Sequence, residues 1–298
     1  MKIPNKKMIQ LPHGETIAYV EQGQGPKTIL LVHGNMSSSI HYVPLLERIP
    51  EEYRVIAPDM RGFGDSTYHH EFNSLQELAT EMIHLMDALH VEQASVVGWS
   101  TGGGVALLMA AHHPTRVERI FLIESTGYNG YPIFQKDEKG QPKMGVPYLS
   151  KKDMAKDPIQ VVPAQQAMET NNVAFMDYLW NLAIYTGAHK PTPEANQLYL
   201  AETLKQRCLA DIDWSLAALN MGHTPNLYGP GDGSIDRVTC PVLSIWGNKD
   251  ITVPEYMVRT TVEAIGENAT LKVYDNCGHS PLVDAPDQLA KDLLEFIQ

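Results

Sequence analysis

The stretch ASVVGWSTGGGVALLMAA at residues 94–111 joins an apolar strand pattern to a helical pattern across one tight turn. Gly98 and Gly102 stand two residues before and after Ser100, and small neighbours are what a turn this sharp requires. Such a turn would expose the Ser100 hydroxyl at a sheet edge and at a helix N-terminus, where free N–H groups favour developing negative charge. The pentapeptide alone also occurs as an ordinary glycine-rich turn, but its place between strand and helix favours a nucleophile.

Short apolar runs recur along the chain and alternate with helical patterns, which is typical of a mostly parallel sheet joined by crossover helices. The runs are TILLVH (28–33), RVIAP (54–58), ASVVG (94–98), RIFLI (119–123), VLSIW (242–246) and LKVYD (271–275). We expect all six to be covered on both faces. Residues 7–11 and 16–21 flank Pro12-His13-Gly14, which predicts an opening antiparallel hairpin. Apolar residues at three- and four-residue steps after Ser74 predict a capped helix over 75–89.

The interval between the runs at 119–123 and 242–246 is too long for one crossover and has helical patterns of its own. These patterns lie around 158–170, 173–186, 193–207 and 210–221, with Gly/Pro-rich joints on both sides. A length of 298 residues allows two small domains or one large α/β domain with an insertion. We expect the insertion, with core at 1–128, a helical cap at 129–228 and core again at 229–298.

Composition narrows the class of protein further. A formal net charge of -12 repels phosphate backbones and anionic headgroups, so we expect no nucleic-acid partner. No apolar run approaches the ~20 residues of a membrane span, and the N-terminal segment lacks the apolar region of a secretory signal, which predicts a cytoplasmic protein without membrane insertion. Three widely spaced cysteines argue against a disulfide framework. His69-His70-Glu71 lacks zinc-ligand spacing and is expected to be a solvated loop.

A serine hydroxyl is a poor nucleophile at neutral pH and needs a histidine within reach, itself oriented by a carboxylate. His279, in the loop NCGHSP after the last apolar run, is the best placed of the 12 histidines. Asp250, in WGNKD, follows VLSIW at the same predicted sheet edge. Glu124, at the end of RIFLI, reaches that edge too. The candidate catalytic residues are therefore Ser100, His279 and Asp250, with Glu124 as the alternative acid.

Two backbone N–H groups are candidates for holding an oxyanion beside Ser100. The first belongs to Thr101, which follows the nucleophile at the helix N-terminus. The second comes from the loop HGNMS (33–37), where a glycine lets the backbone approach the site. Asn35 is the first candidate in that loop and Met36 the second. His33 is expected to be a packed, hydrogen-bonded residue.

These motifs resemble the α/β-hydrolase superfamily, in particular the capped branch of serine esterases, cofactor-free peroxidase-like enzymes and carbon–carbon bond hydrolases. The resemblance covers nearly the whole chain through HGN (33–35), DMRGFGDS (59–66), GWSTG (98–102), GNKD (247–250) and GHSP (278–281). It implies an eight-stranded, mostly parallel sheet flanked by helices, a helical cap after the sixth strand and a Ser100-His279-Asp250 triad. It also implies that DMRGFGDS is a structural turn. Some members carry the acid after the sixth strand, where Glu124 lies.

Serine stands where related epoxide hydrolases and haloalkane dehalogenases carry aspartate, so alkyl-enzyme chemistry is disfavoured. We expect a serine hydrolase that cleaves a small, largely apolar carboxylic ester or lactone through an acyl-enzyme, without cofactor or metal. Carbon–carbon bond hydrolysis, thioester hydrolysis and perhydrolysis are alternatives on the same triad. A ligand receptor that keeps the triad and uses the cap as a partner surface is an alternative of another class. The sequence carries no signal for an oligomeric state.

Aromatic residues are frequent in the predicted cap and could wall an apolar pocket. We expect most of them to be cap core and a minority to line the pocket. Cys277, two residues before His279, is expected to be a packed loop residue rather than an oxidation sensor. The aromatic set is Tyr128, Tyr131, Phe134, Phe175, Tyr178, Trp180, Tyr185 and Trp214, with Trp99 beside the nucleophile.

Overall fold

An eight-stranded sheet forms the centre of the protein, whose computed structural model describes residues 4–298. Its order is β1-β2-β4-β3-β5-β6-β7-β8, with β3 to β8 parallel and β1 and β2 antiparallel to their neighbours. The expected α/β class and sheet are therefore confirmed. The strands are β1 (Lys7–Gln10), β2 (Thr16–Gln22), β3 (Lys27–Val32), β4 (Tyr53–Pro58), β5 (Ala94–Trp99), β6 (Val117–Ile123), β7 (Val242–Gly247) and β8 (Ala269–Tyr274).

Helices flank this sheet, and most of their boundaries follow local signals. The Ser74 hydroxyl accepts a hydrogen bond from the Glu77 N–H at 3.4 Å, which confirms the capped start of the second helix. No helix within residues 4–298 combines the length and the hydropathy needed to cross a membrane. The helices are α1 (Val43–Leu46), α2 (Leu75–Ala88), α3 (Thr101–His112), α4 (Lys151–Met154), α5 (Val162–Glu169), α6 (Val173–Ala183), α7 (Pro193–Thr203), α8 (Leu209–Ala218), α9 (Glu255–Ile265), α10 (Pro281–Asp284) and α11 (Pro286–Ile297).

The first two strands form the expected hairpin. Gly14 in their connection has φ +96°, a conformation that glycine adopts without steric cost. The expectation that every apolar run is covered on both faces is wrong for β8. This strand lies at the sheet edge with a neighbour on one side only, and Tyr274 is its single buried residue.

The long interval between β6 and β7 contains α4 to α8. The expected stretches at 173–186, 193–207 and 210–221 correspond to α6, α7 and α8, each slightly shorter. The stretch expected from 158 becomes α5 at Val162, because the Asp157 carboxylate accepts the N–H groups of Ile159 and Gln160 and holds a turn there. The division into core and cap stays a prediction.

Parallel strands deliver the loops at their carboxyl ends to one edge of the sheet. The residue pairs that link β3 to β5, β5 to β6, β6 to β7 and β7 to β8 are all parallel. The five candidate loops after these strands therefore meet above one edge. They carry Asn35, Ser100, Glu124, Asp250 and His279.

A buried ion cluster connects the N-terminal segment, the DMRGFGDS turn and α7. The Lys6 Nζ lies 2.7 Å from Asp59, 2.8 Å from Asp65 and 2.6 Å from Glu202. Burial disfavours the charged amine, but the three carboxylates outweigh it and raise the pKa of Lys6 above its ordinary value. Asp59 also accepts the N–H groups of Ser39 and Asp65, as expected of a structural turn.

Replacing Lys6 by Met should therefore destabilise the protein. The change leaves Asp59, whose side chain is 0% exposed, without its cation, and Glu202 keeps only its pair with Lys205, which is 37% exposed. We expect the free energy of unfolding, measured by urea denaturation at pH 7, to fall by about 2 to 4 kcal/mol. The matched control is Lys7→Met, because Lys7 is 59% exposed in its pair with Glu21 and should contribute less than about 1 kcal/mol. Equal unfolding midpoints for the two variants would contradict the role of the cluster.

Candidate active site

Ser100 occupies the expected turn between β5 and α3. Its backbone has φ 54° and ψ -118°, a conformation that is strained for a residue with a side chain. The Ser100 N–H donates to the Ile123 carbonyl at 2.8 Å, which ties the turn to the end of β6. A Cβ on Gly98 would lie 2.6 Å from the Gly103 Cα, and one on Gly102 would collide with the Val32 carbonyl. Both glycines are therefore needed for the close approach of α3 to β5 and β3.

The structure brings Ser100, His279 and Asp250 together in one hydrogen-bonded row. The His279 Nε2 lies 3.0 Å from the Ser100 Oγ, and its Nδ1 lies 2.7 Å from the Asp250 Oδ2. The Trp99 indole N–H donates to the His279 carbonyl at 2.8 Å and fixes the loop after β8. This geometry suits a histidine that accepts the serine proton while its other nitrogen donates to the carboxylate.

The carboxylate of Asp250 is held in place from both sides. Its Oδ1 accepts the N–H groups of Thr252 at 2.7 Å and Val253 at 3.0 Å. Burial alone would raise the pKa of Asp250, but the adjacent His279 and the hydrogen bonds outweigh it and hold the pKa below its ordinary value. Asp250 is therefore ionised at neutral pH.

Glu124, the alternative acid, makes no hydrogen bond to His279. Its Oε1 accepts the Gly247 N–H at 2.7 Å instead. Burial, and then the neighbouring charge of Asp250, raise the pKa of Glu124 well above its ordinary value. The geometry thus favours Asp250 over Glu124 as the partner of the imidazole.

The backbone N–H groups of Asn35 and Thr101, both near Ser100, have no acceptor among the described residues. Thr101 is the first residue of α3, so its N–H has no intrahelical partner. The geometry favours Asn35 over Met36, the second candidate in the loop, because the Met36 N–H donates to the Asn35 Oδ1 and to the Gln206 Oε1, both at 2.9 Å.

Three residues from the segment between β6 and β7 support this loop, and sequence reasoning missed them. The Asp213 carboxylate accepts from the side-chain amides of Asn35 at 3.1 Å and Gln160 at 3.0 Å. The Gln206 side-chain amide donates to the Asn35 Oδ1 at 2.8 Å. Burial raises the pKa of Asp213 to about 7. The one signal in the sequence is a charged residue inside the apolar stretch IDWSLAA of α8.

An apolar cavity of about 370 Å³ opens above Ser100 and His279. Tyr131, Phe175 and Trp180 line it together with Trp99, so a minority of the aromatic residues in the predicted cap reach the pocket, as expected. Among the described residues that line it, none is lysine, arginine, aspartate or glutamate. The remaining lining residues are Asn35, Met36, Ile159, Gln160, Ala164, Leu179, Leu182, Ala183, Ile184, Ile251 and Thr252.

His33 and Cys277 lie beside the site and are packed in the protein interior. The buried His33 ring accepts the Met60 N–H at 3.0 Å, and burial lowers the pKa of His33 to about 4, which confirms a packed, neutral residue. Cys277 is buried too, and its burial raises the pKa of the thiol above its ordinary value. A buried thiol that resists ionisation reacts poorly with oxidants, which favours the packed-residue interpretation.

Two clusters within residues 4–298 bring three potential metal ligands together. One is Asp59, Asp65 and Glu202, where the Lys6 ammonium already lies. The other consists of Glu124, Asp250 and His279. An ion there would compete with the hydrogen bond between Asp250 and His279, so the arrangement fits proton transfer better than metal binding.

The comparisons with known proteins agree with this fold. A family model described as alpha/beta hydrolase fold matches residues 27–286, and the chain belongs to that family. A pimeloyl-[acyl-carrier protein] methyl ester esterase of Vibrio vulnificus is 25% identical over 92% of this chain and 95% of its own length.

Solved structures show the same fold. An esterase from Exiguobacterium antarcticum superposes with a TM-score of 0.73 at 18% identity, over 98% of this chain and 99% of that one. An enol-lactonase from Burkholderia xenovorans superposes with a TM-score of 0.71 at 17% identity, again over 98% and 99%. At this identity the likeness concerns the fold.

The close approach of Gly34 to Ser100 predicts that a methyl group at position 34 displaces the serine. A Cβ there would lie 2.9 Å from the Ser100 Cβ and 3.2 Å from the Trp99 carbonyl oxygen. We expect Gly34→Ala to slow labelling of Ser100 by a fluorophosphonate at least about 10-fold, since small misplacements of reacting groups are costly. The control is Gly229→Ala, where an added Cβ meets no atom within 4 Å and labelling should stay native. Native labelling of both variants would disprove the close contact.

Proposed function

We propose that this protein is a serine hydrolase that cleaves a small, neutral, largely apolar carboxylic ester or lactone through an acyl-enzyme. The observation that carries the proposal is the row from Ser100 Oγ to His279 Nε2 at 3.0 Å and from His279 Nδ1 to Asp250 at 2.7 Å. This row ends at the floor of the apolar cavity. Membership of the α/β hydrolase fold family supports hydrolysis as the reaction class.

In the proposed reaction His279 takes the proton of Ser100 as the Oγ attacks the substrate carbonyl carbon. The N–H groups of Asn35 and Thr101 stabilise the negative charge that develops on the carbonyl oxygen. His279 then protonates the leaving alcohol, and the acyl group stays on Ser100. Water, deprotonated by His279, attacks the acyl-enzyme and releases the acid. Asp250 stabilises the imidazolium in both halves of the reaction.

The cavity supports a neutral substrate. A carboxylate that entered it would lose its hydration without meeting a lysine or arginine in the lining. The negative formal charge of -12 adds long-range repulsion. The aromatic and aliphatic side chains instead favour an alkyl or aryl group of modest size, since about 370 Å³ lies at the lower end of ligand pockets.

The names of the similar proteins are compatible with ester or lactone substrates. The Vibrio protein is named as a methyl ester esterase, and the two solved structures as an esterase and an enol-lactonase. All three names describe hydrolysis of an oxygen ester bond. For this chain they support the substrate class, while the acyl group is argued from the cavity.

The first test is burst kinetics with p-nitrophenyl butyrate. We expect the native chain to give a burst of about one p-nitrophenol per active site, the mark of an acyl-enzyme. Ser100→Ala should lose activity by about 10⁴-fold or more, and Asp250→Asn by about 10³- to 10⁴-fold. Ser95→Ala, on strand β5, which leads to the nucleophile, is the control and should stay native. Absence of turnover by the native chain with esters, thioesters and lactones alike would contradict the proposal.

The cavity also predicts discrimination by charge. Mono-p-nitrophenyl succinate has the leaving group and nearly the acyl length of p-nitrophenyl butyrate but ends in a carboxylate. We expect its kcat/KM to be lower by at least about 10-fold, because the buried carboxylate has no cationic partner. The loss should persist at high salt, which screens long-range repulsion but not desolvation. Equal kcat/KM values would show that the acyl group does not enter the cavity.

A further inference from the structure

Two carboxyl groups lie side by side beneath His279. The Glu124 side chain, at the end of β6, is 0% exposed. One ligand atom each of Glu124, Asp250 and His279 lie within 4.8 Å of one another. The Glu124 Oε1 accepts the Gly247 N–H, but its Oε2 is buried and receives no hydrogen bond from any donor among the described residues. An ionised carboxylate would need such a donor there.

The groups that face Glu124 make a second negative charge unfavourable. Within residues 4–298 none of them is lysine or arginine, and the imidazole of His279 is already paired with Asp250. Two adjacent buried carboxylates with no cation of their own hold one negative charge between them. The titratable groups around Glu124 are Asp250 from the loop after β7, Tyr274 at the end of β8, Cys277 and His279 from the loop after β8, and Asp284 from α10.

Asp250 is the group of the pair that carries the charge. Its carboxylate receives the N–H groups of Thr252 and Val253 and the imidazole Nδ1–H, which all stabilise an anion. Glu124 receives the single N–H of Gly247. The proton shared by the two acids therefore resides on Glu124, and its buried Oε2 is the oxygen left free to donate it. This places the pKa of Glu124 above its ordinary value and that of Asp250 below it.

We propose that Glu124 is a positioning residue whose carboxyl group stays protonated and donates a hydrogen bond from Oε2 to the Asp250 carboxylate. That bond holds the Asp250 carboxylate in addition to the N–H groups of Thr252 and Val253. Because Glu124 is neutral, only one negative charge lies beside the imidazole. The backbone of Glu124 has φ 45°, which is strained for a residue with a side chain. Two hydrogen bonds maintain it: the Glu124 N–H donates to the Ile245 carbonyl, and the Glu124 Oε1 accepts the Gly247 N–H. The kinetic part of the inference rests on the proposed hydrolase function.

Replacement by glutamine tests the protonation state, because an amide has the shape of the neutral acid and also donates to Asp250. The measurement is the NMR titration of the His279 ring in the ligand-free protein. The ring signal is assigned by its disappearance in the His279→Ala variant. We expect the midpoint in Glu124→Gln to stay within about 0.3 pH units of the native value, since no charge is removed. If Glu124 were ionised, removing its charge would lower the midpoint by about 1 unit or more. That result would overturn the proposal.

Replacement by leucine tests the positioning role. Glu124→Leu removes the donor to Asp250, and we expect kcat for p-nitrophenyl butyrate, expressed per site titrated in the burst, to fall by about 10- to 100-fold. KM should change less than about 2-fold because Glu124 does not line the cavity. Glu124→Gln should keep kcat within about 3-fold. A purely structural role would lower the number of titrated sites and leave kcat per site native, and that outcome would overturn the assignment.

One control variant and the titration, which does not depend on activity, separate the possible failures. Glu81→Gln replaces another buried glutamate, outside the cavity lining, and should leave both the His279 titration and kcat per site native. If Glu124→Leu does not fold, the His279 titration in Glu124→Gln still decides the protonation state. If the native chain gives no burst with p-nitrophenyl butyrate, the proposed function fails while the titration continues to test Glu124.

Discussion

The contact of α3 with the ends of three strands is the constraint on which the rest of the structure depends. Gly98 and Gly102 bring the helix against β5 and against the Val32 carbonyl of β3, and the Ser100 N–H binds the end of β6. With a larger residue at either glycine the helix would move away, and its N-terminus would no longer lie at the sheet edge. The strained backbone of Ser100 is therefore a product of packing among neighbours, which outweighs its local cost.

Charge burial is the second constraint, and the structure meets it in two ways. Around Lys6, opposite charges lie together, and Lys205 also pairs with Asp65 at 2.8 Å and with Glu202 at 2.5 Å. Beneath His279 the described residues include no lysine or arginine, so the negative charge of Asp250 is stabilised by backbone N–H groups and the imidazole. The first solution gives stability. The arrangement beneath His279 keeps the Asp250 carboxylate beside the imidazole, which gains and loses a proton during the proposed reaction.

The strands, the Ser100 turn and the positions of His279 and Asp250 could be predicted because each depends on local sequence or on the direction of one strand. Sequence alone could not decide between Asp250 and Glu124, since both follow strands that end at the same edge. Their difference lies in which backbone N–H groups each carboxyl meets. The contacts of Asp213 and Gln206 with the loop at Asn35 could not be predicted, because they depend on how helices distant in the chain lie over the core. The two-sided cover expected for β8 was wrong because edge position is a property of the whole sheet.

The pairing of acids on neighbouring strands has a consequence for the evolutionary history of such sites. With Glu124 and Asp250 both in contact range of the imidazole, an acid on β6 is already present while an acid on β7 is in use. A lineage that lost Asp250 would start from a less active protein in which Glu124 already lies near the imidazole. Migration of the acid between strands then requires a change in the contacts of Glu124 rather than the gain of a new carboxyl group. The protonated Glu124 is thus a carboxyl group already in place for a triad with its acid on β6.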